Sequence, residues 1–252
     1  NECTPYGAVL NPLNKAFVAG GSSGGSAASV AEGSSYFSIG TDTGGSVRLP
    51  ANFCGLVGFK PSYGRVSRFG QIAYGSSLDQ ASPMARSVSD ISLLMEILSV
   101  KDPKDSTQGT HSLMKSFENL KKINPDFIKN KKIGFDPSFI DSCSSEIKKS
   151  LQLALDNFSK MGAHISEVSL PHLKHCVSVY YIIATAEASA NLARYDGIHY
   201  GFRAKKEGAN LLDTYRDSRT EGFGDEVKKR ILLGTYSLSS GYQDEYFAKA
   251  CK

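Results

Sequence analysis

The chain has 252 residues, of which 40% are hydrophobic and 21% charged, so it can bury a sizeable core and is not predicted to be disordered. Its net charge of +4 arises from basic residues interspersed with acidic ones, a pattern that gives no nucleic-acid footprint. Five scattered cysteines without a C-x-x-C pair argue against zinc and favour a reduced, intracellular compartment. No apolar run is long enough to span a membrane, so no membrane partner is expected. The cysteine pattern likewise gives no reason to expect a metal site.

Residues 1–100 are predicted to form a Ser/Gly-rich part of an α/β core. The short apolar pieces SYFSIG and GLVGFK predict buried strands, and the small residues of SAASVAEG predict a tightly packed helix. Ser87 and Asp90 stand at a capping-box-like spacing, which predicts that a helix covers residues 87–99.

Residues 101–170 are predicted to form a strand, a helix and a strand, after a polar surface stretch at 102–131. KKIGFD and HISEVSL predict the strands, and a helix is expected from about Ser145 to Met161. Strands separated by helices imply a parallel or mixed sheet covered on both sides. The predicted fold class is therefore α/β, with a mixed, mostly parallel sheet sandwiched by helices.

Residues 171–252 are predicted to be almost entirely helical. VSVYYIIATAEASANLARYDG has few polar positions and predicts a buried helix. The segment that begins at GDEV predicts two amphipathic helices, broken near Ser239 and Gly241.

The stretch GGSSGGS at residues 20–26 admits several interpretations. Its composition is typical of a flexible linker, but apolar FVA before it and a small-residue helix after it oppose that interpretation. A phosphate-binding loop is disfavoured because no Lys-Ser or Lys-Thr pair follows. GGSSG also matches G-x-S-x-G with Ser22 as nucleophile, which requires a downstream histidine. The candidates are His172, His175 and His199.

The second motif, TDTGGSVRLP at residues 41–50, is the better candidate for a nucleophile loop. Attack of a serine on an amide creates an oxyanion, which requires two or more backbone N–H groups aimed at one point. Two glycines let the backbone turn inward. The predicted oxyanion donors are the N–H groups of Thr43, Gly44, Gly45 and Ser46. Asp42 and Arg48 are expected to pair and brace this turn in a structural role.

Together GGSSGGSAASVAEG and GTDTGGSVRLPANFCGLVGFKPSYG resemble the signature of the amidase signature family. Its hydrolases use a serine, a second serine on a cis peptide bond, and a lysine. The resemblance implies that Ser46 is the nucleophile and that Ser22, on a cis Gly21–Ser22 bond, is the bridging serine, with Ser23 in a structural role. Ser22 would accept the proton of Ser46 and pass its own to a buried, neutral lysine.

Further segments, among them SSLDQASPMARSVSDISLLMEIL and ATAEASANLARYDG, resemble the branch of this family formed by the A subunits of glutamyl-tRNA(Gln) amidotransferases. The resemblance implies glutamine hydrolysis that supplies ammonia to convert Glu-tRNA(Gln) to Gln-tRNA(Gln), in a heterotrimer with B and C subunits. ATP and Mg²⁺ would be bound by the B subunit, with no cofactor in this chain. Tyr181 and Arg230 match positions that hold the substrate, and Arg230 suits a carboxylate.

The family's lysine lies well upstream of the cis serine, a position that neither Lys15 nor Lys60 matches. The chain also begins without Met, so we expect a central fragment that lacks its general base and a C-terminal substrate carboxylate, and is inactive alone. A stand-alone amidase acting on another small amide and a non-catalytic fragment remain the alternatives. The expected location is the cytoplasm for a bacterial source, or the mitochondrial or plastid matrix for an organellar one.

Overall fold

The computed structural model describes residues 1–2, 4, 6–109, 115–205, 208 and 210–252. Cys3 and residues 110–114 of the predicted surface stretch lie outside this part. The described chain divides into two compact units, of which the first comprises Asn1–Phe117 with Val177–Lys252 and the second comprises Glu118–Cys176.

The first unit contains five short strands and three helices before residue 100. In chain order these are β1 (Leu10–Asn11), β2 (Asn14–Val18), α1 (Gly24–Glu32), β3 (Phe37–Asp42), α2 (Arg48–Phe53), β4 (Val57–Gly58), β5 (Gln80–Ala85) and α3 (Val88–Leu98). The predicted strands in SYFSIG and GLVGFK correspond to β3 and β4, and SAASVAEG corresponds to α1.

The sheet of this unit has the order β3-β5-β4, and both neighbouring pairs are antiparallel. β3 and β4 flank the crossover helix α2 and run parallel to each other, as a strand-helix-strand unit should. They are not neighbours, because β5 lies between them and pairs with both. The α/β class is confirmed, but the three-stranded sheet differs from the mostly parallel sheet that the sequence predicted.

Small side chains allow α1 and α2 to approach the sheet closely. Ala27 of α1 and Val47 and Ala51 at α2 are buried with Met84 of β5 in one cluster. A second cluster joins Ala85 of β5 to one face of α3. α3 begins at Ser87, whose Oγ accepts a hydrogen bond from the Asp90 backbone N–H at 3.1 Å, which confirms the predicted cap.

The second unit contains the predicted strand-helix-strand arrangement, with β6 (Lys132–Phe135), α5 (Pro137–Asp141), α6 (Ser145–Lys160) and β7 (His164–Glu167). β6 and β7 pair in parallel, as expected for strands joined through a helix. Gly162 ends the α6 region with a φ of 88°, a conformation that favours glycine. The boundary between the two units in the sequence falls within α4 (Ser116–Lys121).

The described residues at 193–210 are not helical, so residues 171–252 are less helical than predicted, but the remaining C-terminal residues are mostly helical. They form α7 (Cys176–Leu192), α8 (Leu211–Gly222), α9 (Asp225–Ser237) and α10 (Lys249–Cys251), with a π-helical turn at Asp244–Ala248. α9 ends before Ser239 and Gly241, where the sequence predicted a break. In the part of the chain described here, no helix is both long and apolar enough to cross a bilayer.

Candidate active site

The loop before α1 brings the two serine-bearing motifs together. The peptide bond between Gly21 and Ser22 is cis, at the bond that the family resemblance selected. The next residue, Ser23, donates a backbone hydrogen bond to the carbonyl of Ser46 at 2.9 Å. The side chain of Ser23 accepts from the Thr41 N–H at 3.2 Å, so this serine connects both motifs. These contacts place Ser22 and Ser46 on adjoining backbone.

The two hydroxyl groups themselves are not joined. Both serines are described, and no hydrogen bond links their Oγ atoms. Ser22 is exposed and Ser46 is half-buried. Catalytic hydrogen bonds are often long in a site without substrate, so the proton relay stays a prediction.

A buried carboxylate braces the turn that carries Ser46. Asp42 ends β3 and is fully buried. Its oxygens accept hydrogen bonds from the Nε and Nη2 atoms of Arg48, each at 3.0 Å. They also accept the backbone N–H groups of Gly45 at 2.8 Å and of Val47 and Arg48 at 3.2 Å. The predicted pairing of Asp42 with Arg48 is confirmed.

These hydrogen bonds control the charge of Asp42. Burial alone would raise its pKa, but the hydrogen bonds from Arg48 and from the backbone of Gly45, Arg48 and Val47 outweigh burial and hold the pKa below its ordinary value. The same pairing raises the pKa of Arg48. Asp42 is therefore a fixed anion at neutral pH that shapes the turn.

The 43–46 loop presents three of the four predicted oxyanion donors. The N–H groups of Thr43, Gly44 and Ser46 have no hydrogen-bond acceptor within the described part of the chain. The fourth, that of Gly45, is directed at Asp42 instead, which corrects its assignment. Gly45 has a φ of 117°, which a residue with a side chain rarely adopts, so its glycine shapes the turn.

Thr43 is anchored by a residue that the sequence analysis did not identify. Its Oγ1 donates to Oδ1 of Asp79 at 2.5 Å, and Asp79 is 1% exposed. The same carboxylate accepts the backbone N–H groups of Tyr74 and Gly75. Asp79 directly precedes β5, a strand that was not predicted from the sequence. Its position was therefore not predicted either, and no local spacing indicated this contact.

Tyr180 of α7 is the tyrosine that lies against the loop. A Cβ atom on Gly44 would stand 2.4 Å from Cε2 of Tyr180, so only glycine fits beside this ring. Tyr181, the predicted substrate residue, is 48% exposed and packs edge-on against Tyr180 with ring centroids 5.5 Å apart. The family resemblance implied Tyr181, whereas its neighbour Tyr180 is the residue in contact with the loop.

Arg230 of α9 reaches the same group of aromatic rings. Its Nη1 lies 3.4 Å from the hydroxyl of Tyr74, and its guanidinium lies 5.8 Å from the centre of that ring. Its Nε donates to Oε1 of Glu226 at 3.1 Å. Burial raises the pKa values of Tyr74 and Tyr180, which keeps both hydroxyls protonated at neutral pH.

Of the histidines and lysines considered in the sequence, His199 and Lys60 have other hydrogen-bond partners. Nδ1 of His199 pairs with Asp196 at 2.8 Å. His172 and His175 belong to the second compact unit, whereas Ser22 belongs to the first. Lys60 donates to the carbonyl of Pro61, and Lys15 is exposed on β2. The linker interpretation of residues 20–26 is wrong, because α1 begins inside that stretch at a buried Gly24.

The whole chain is similar in sequence to known proteins. The sequence profile described as Amidase matches residues 1–252. The chain is 49% identical over 253 residues to the A subunit of the glutamyl-tRNA(Gln) amidotransferase of Koribacter versatilis, covering 100% of this chain and 52% of that protein. It is 51% identical over 254 residues to the protein of the same name from Campylobacter curvus, covering 100% of this chain and 54% of that protein.

Solved structures agree with the sequence comparisons. The crystal structure of the A subunit of the glutamyl-tRNA(Gln) amidotransferase of Thermotoga maritima superposes with a TM-score of 0.72 and 35% identity, over 99% of this chain and 48% of that one. Native peptide amidase from Stenotrophomonas maltophilia superposes with a TM-score of 0.71 and 25% identity, over 96% of this chain and 48% of that one. The chain thus spans about half the length of the curated relatives it matches.

Proposed function

The chain belongs to the Amidase family, and on that premise we propose that it is the glutamine-hydrolysing part of a tRNA-dependent amidotransferase. The observation that carries the proposal is the 43–46 loop, where Ser46 adjoins unengaged backbone N–H groups and is hydrogen-bonded through its carbonyl to Ser23, the residue after Ser22. The names of the roughly half-identical relatives support glutamine as the amide.

In the proposed reaction, Oγ of Ser46 attacks the side-chain amide carbon of glutamine, and its proton passes to Ser22. The N–H groups of Thr43, Gly44 and Ser46 stabilise the resulting oxyanion. Collapse of this intermediate breaks the C–N bond, and the nitrogen leaves as ammonia after gaining a proton. The γ-glutamyl ester left on Ser46 is then hydrolysed by water.

We assign the α-carboxylate of glutamine to Arg230 and Tyr181. The Arg230 side chain is 34% exposed, and its planar fork suits a carboxylate. Its Nε donates to Glu226, which fixes the orientation of the guanidinium group. The two Nη groups are not engaged by Glu226 in this hydrogen bond. Tyr74 supplies a protonated hydroxyl beside the same guanidinium.

In this proposal a partner subunit uses the ammonia that is released. B and C subunits complete the assembly, and the B subunit binds ATP and Mg²⁺ and amidates glutamate on tRNA(Gln). The names of the relatives support a role in such a multi-subunit enzyme.

The nucleophile assignment is tested in the full-length protein with its partner subunits. We expect Ser46→Ala and Ser22→Ala to reduce ammonia release from glutamine by about 10³-fold or more, the loss typical of serine triads. Hydroxylamine should trap the γ-glutamyl ester in the unaltered protein and not in Ser46→Ala. Ser34→Ala is the matched control, because Ser34 is exposed outside both motifs. Trapping that survives Ser46→Ala contradicts the assignment.

The assignment of the α-carboxylate of glutamine to Arg230 can be tested, and the test distinguishes this proposal from a stand-alone amidase. Arg230→Ala should raise KM for glutamine at least 10-fold and change hydrolysis of a small uncharged amide less. Lys229→Ala is the control, since it removes an exposed cation of the same helix and leaves Arg230 in place. Glutaminase activity that is unchanged by partner subunits and charged tRNA would favour the stand-alone amidase.

The general base is proposed by resemblance to be a lysine upstream of the cis serine. Activation of Ser46 needs a proton acceptor linked through Ser22. We therefore expect the 252-residue chain to show only residual hydrolysis beside a longer chain that includes the lysine. Equal turnover of the two would place the base within these residues and contradict the Ser–Ser–Lys assignment.

A further inference from the structure

We propose that Asp79 is a positioning residue. It fixes the position of the 43–46 loop relative to Tyr74, the residue whose hydroxyl lies beside Arg230. The proposal rests on the proposed function above for its substrate, glutamine. It adds how the site for the side-chain amide and the site for the α-carboxylate are held at a fixed distance from each other.

Asp79 binds two separate parts of the site with one carboxylate. Its Oδ1 accepts the Thr43 hydroxyl at 2.5 Å and the Gly75 N–H at 3.0 Å. Its Oδ2 accepts the Tyr74 N–H at 2.7 Å and shares the Gly75 N–H at 3.0 Å. Thr43 carries one of the unengaged N–H donors, and Tyr74 carries the hydroxyl beside Arg230. One side chain thus links both functions.

This carboxylate has no other evident role. Asp79 is 1% exposed and forms no ion pair with any residue that the structure describes. Its oxygens accept hydrogen bonds from the Thr43 hydroxyl and from two backbone N–H groups. A buried polar group is costly unless it is hydrogen-bonded, so this arrangement strongly restricts where its donors lie.

The 74–79 segment that carries Asp79 is itself held on α7. Glu187 accepts the Ser77 N–H at 2.9 Å and the Ser77 hydroxyl. Asn191 donates to the carbonyl of Tyr74 at 3.1 Å. A Cβ atom on Gly75 would lie 3.3 Å from Cγ2 of Thr43 and 3.6 Å from a carboxylate oxygen of Glu187. The segment is therefore fixed to both the loop and the helix, and Asp79 cannot move independently of them.

A misplaced oxyanion donor lowers the rate of the chemical step rather than substrate binding, and small displacements have large effects. Thr43→Val keeps the shape of the side chain but removes the hydroxyl that Asp79 holds. We expect it to lower kcat roughly 10-fold to 100-fold with less than about a 3-fold change in KM. Thr43→Ser keeps the hydroxyl and should restore most of kcat.

Asp79→Asn should affect both ends of the substrate. We expect kcat to fall at least as far as in Thr43→Val, and KM to rise for glutamine but not for a small uncharged amide, since only glutamine uses Arg230. The double variant Thr43→Val with Asp79→Asn should be no slower than Asp79→Asn alone, because both changes break the same contact. Additive losses in the double variant would overturn the proposal.

Each variant is measured in the full-length protein with both amides, so failure of the proposed function is distinguishable. If only the uncharged amide is hydrolysed, the glutamine assignment fails, while the kcat series still tests Asp79. Hydrogen exchange of the Thr43 and Gly44 amides gives a readout that needs no activity. Faster exchange in Thr43→Val and Asp79→Asn, with exchange as in the unaltered protein in Thr43→Ser, supports the proposal. Unchanged exchange and unchanged kcat in Thr43→Val would overturn it.

Discussion

At the scale of single residues, the site depends on charges that are fully hydrogen-bonded. Asp42 accepts five hydrogen bonds, two of them from the guanidinium of Arg48. Because its folded pKa lies below its ordinary value of 3.8, Asp42 stabilises the fold above that pH, and this contribution is lost as pH falls through the folded pKa.

Asp42→Asn should therefore lower the free energy of unfolding by about 1–3 kcal/mol near neutral pH, since an amide group cannot accept all the hydrogen bonds that the buried carboxylate accepts from Arg48 and the backbone of the turn. The difference from the unaltered protein should shrink below pH 3.8, where the unfolded carboxylate gains its proton. Urea unfolding at the two pH values measures this. Asp225→Asn is the control, because that carboxylate is fully exposed and should change stability by less than about 0.5 kcal/mol. A pH-independent difference would contradict the account.

The contact between Gly44 and Tyr180 predicts that a substitution of Tyr180 relieves the steric defect caused by a substitution of Gly44. Gly44→Ala places a methyl group 2.4 Å from the Tyr180 ring, so the loop must shift, and we expect kcat/KM for glutamine to fall about 100-fold. Tyr180→Ala removes the obstructing ring. The double variant should then recover to the level of Tyr180→Ala alone. If the two losses multiply instead, the steric explanation is wrong.

At the scale of elements, the substrate side of the site depends on how α9 packs against α7. A Cβ atom on Gly234 would stand 1.9 Å from the carbonyl oxygen of Thr185, so the two backbones are in contact. Buried alanines on both sides of Thr185 permit this approach. Arg230 and Tyr181 each lie about one helical turn before this contact on their own helices. The crossing therefore determines where both side chains are placed.

Gly234→Ala should lower the free energy of unfolding by about 2–3 kcal/mol, because the obstructing atom is backbone and cannot rotate away. KM for glutamine should rise with it. Gly25→Ala is the matched control, since Gly25 is also helical but has no atom near its Cβ position, and it should leave stability unchanged or raise it by up to about 1 kcal/mol. Equal effects of the two changes would exclude the packing explanation.

At the scale of the whole molecule, the two compact units differ in how much apolar surface they bury. The first unit contains both buried clusters. In the second unit α6 buries none of its side chains, and Ala163 is the one buried hydrophobic residue among those the structure describes there. Local stability follows buried apolar contacts, so the units should open with different free energies.

Amide hydrogen exchange on the 252-residue chain should show this difference. We expect α6, β6 and β7 to exchange at least 10-fold faster than β3 and β5, relative to their intrinsic rates. α3, which buries Ile91, Leu94 and Met95, is the helical comparison for α6. Equal protection of α3 and α6 would show that burial does not control local opening here.

Much of this protein is determined by short stretches of its sequence. The capped start of α3, the span of α6 and the Asp42–Arg48 pair were predicted, because each depends on a short stretch of chain, whereas the cis bond at Ser22 was implied by the family resemblance. Helix period, capping and a tight turn are properties of neighbouring residues, so they can be read without knowing the fold.

Only the tertiary structure decided which distant residues meet. β5 lies between β3 and β4, the N–H of Gly45 turns to Asp42, and Tyr180 rather than Tyr181 lies against the loop. Asp79 lies 36 residues from Thr43, and no spacing rule relates the two. Strand order and side-chain contacts depend on how whole elements pack, and packing energy is summed over the assembled core rather than encoded in any local pattern.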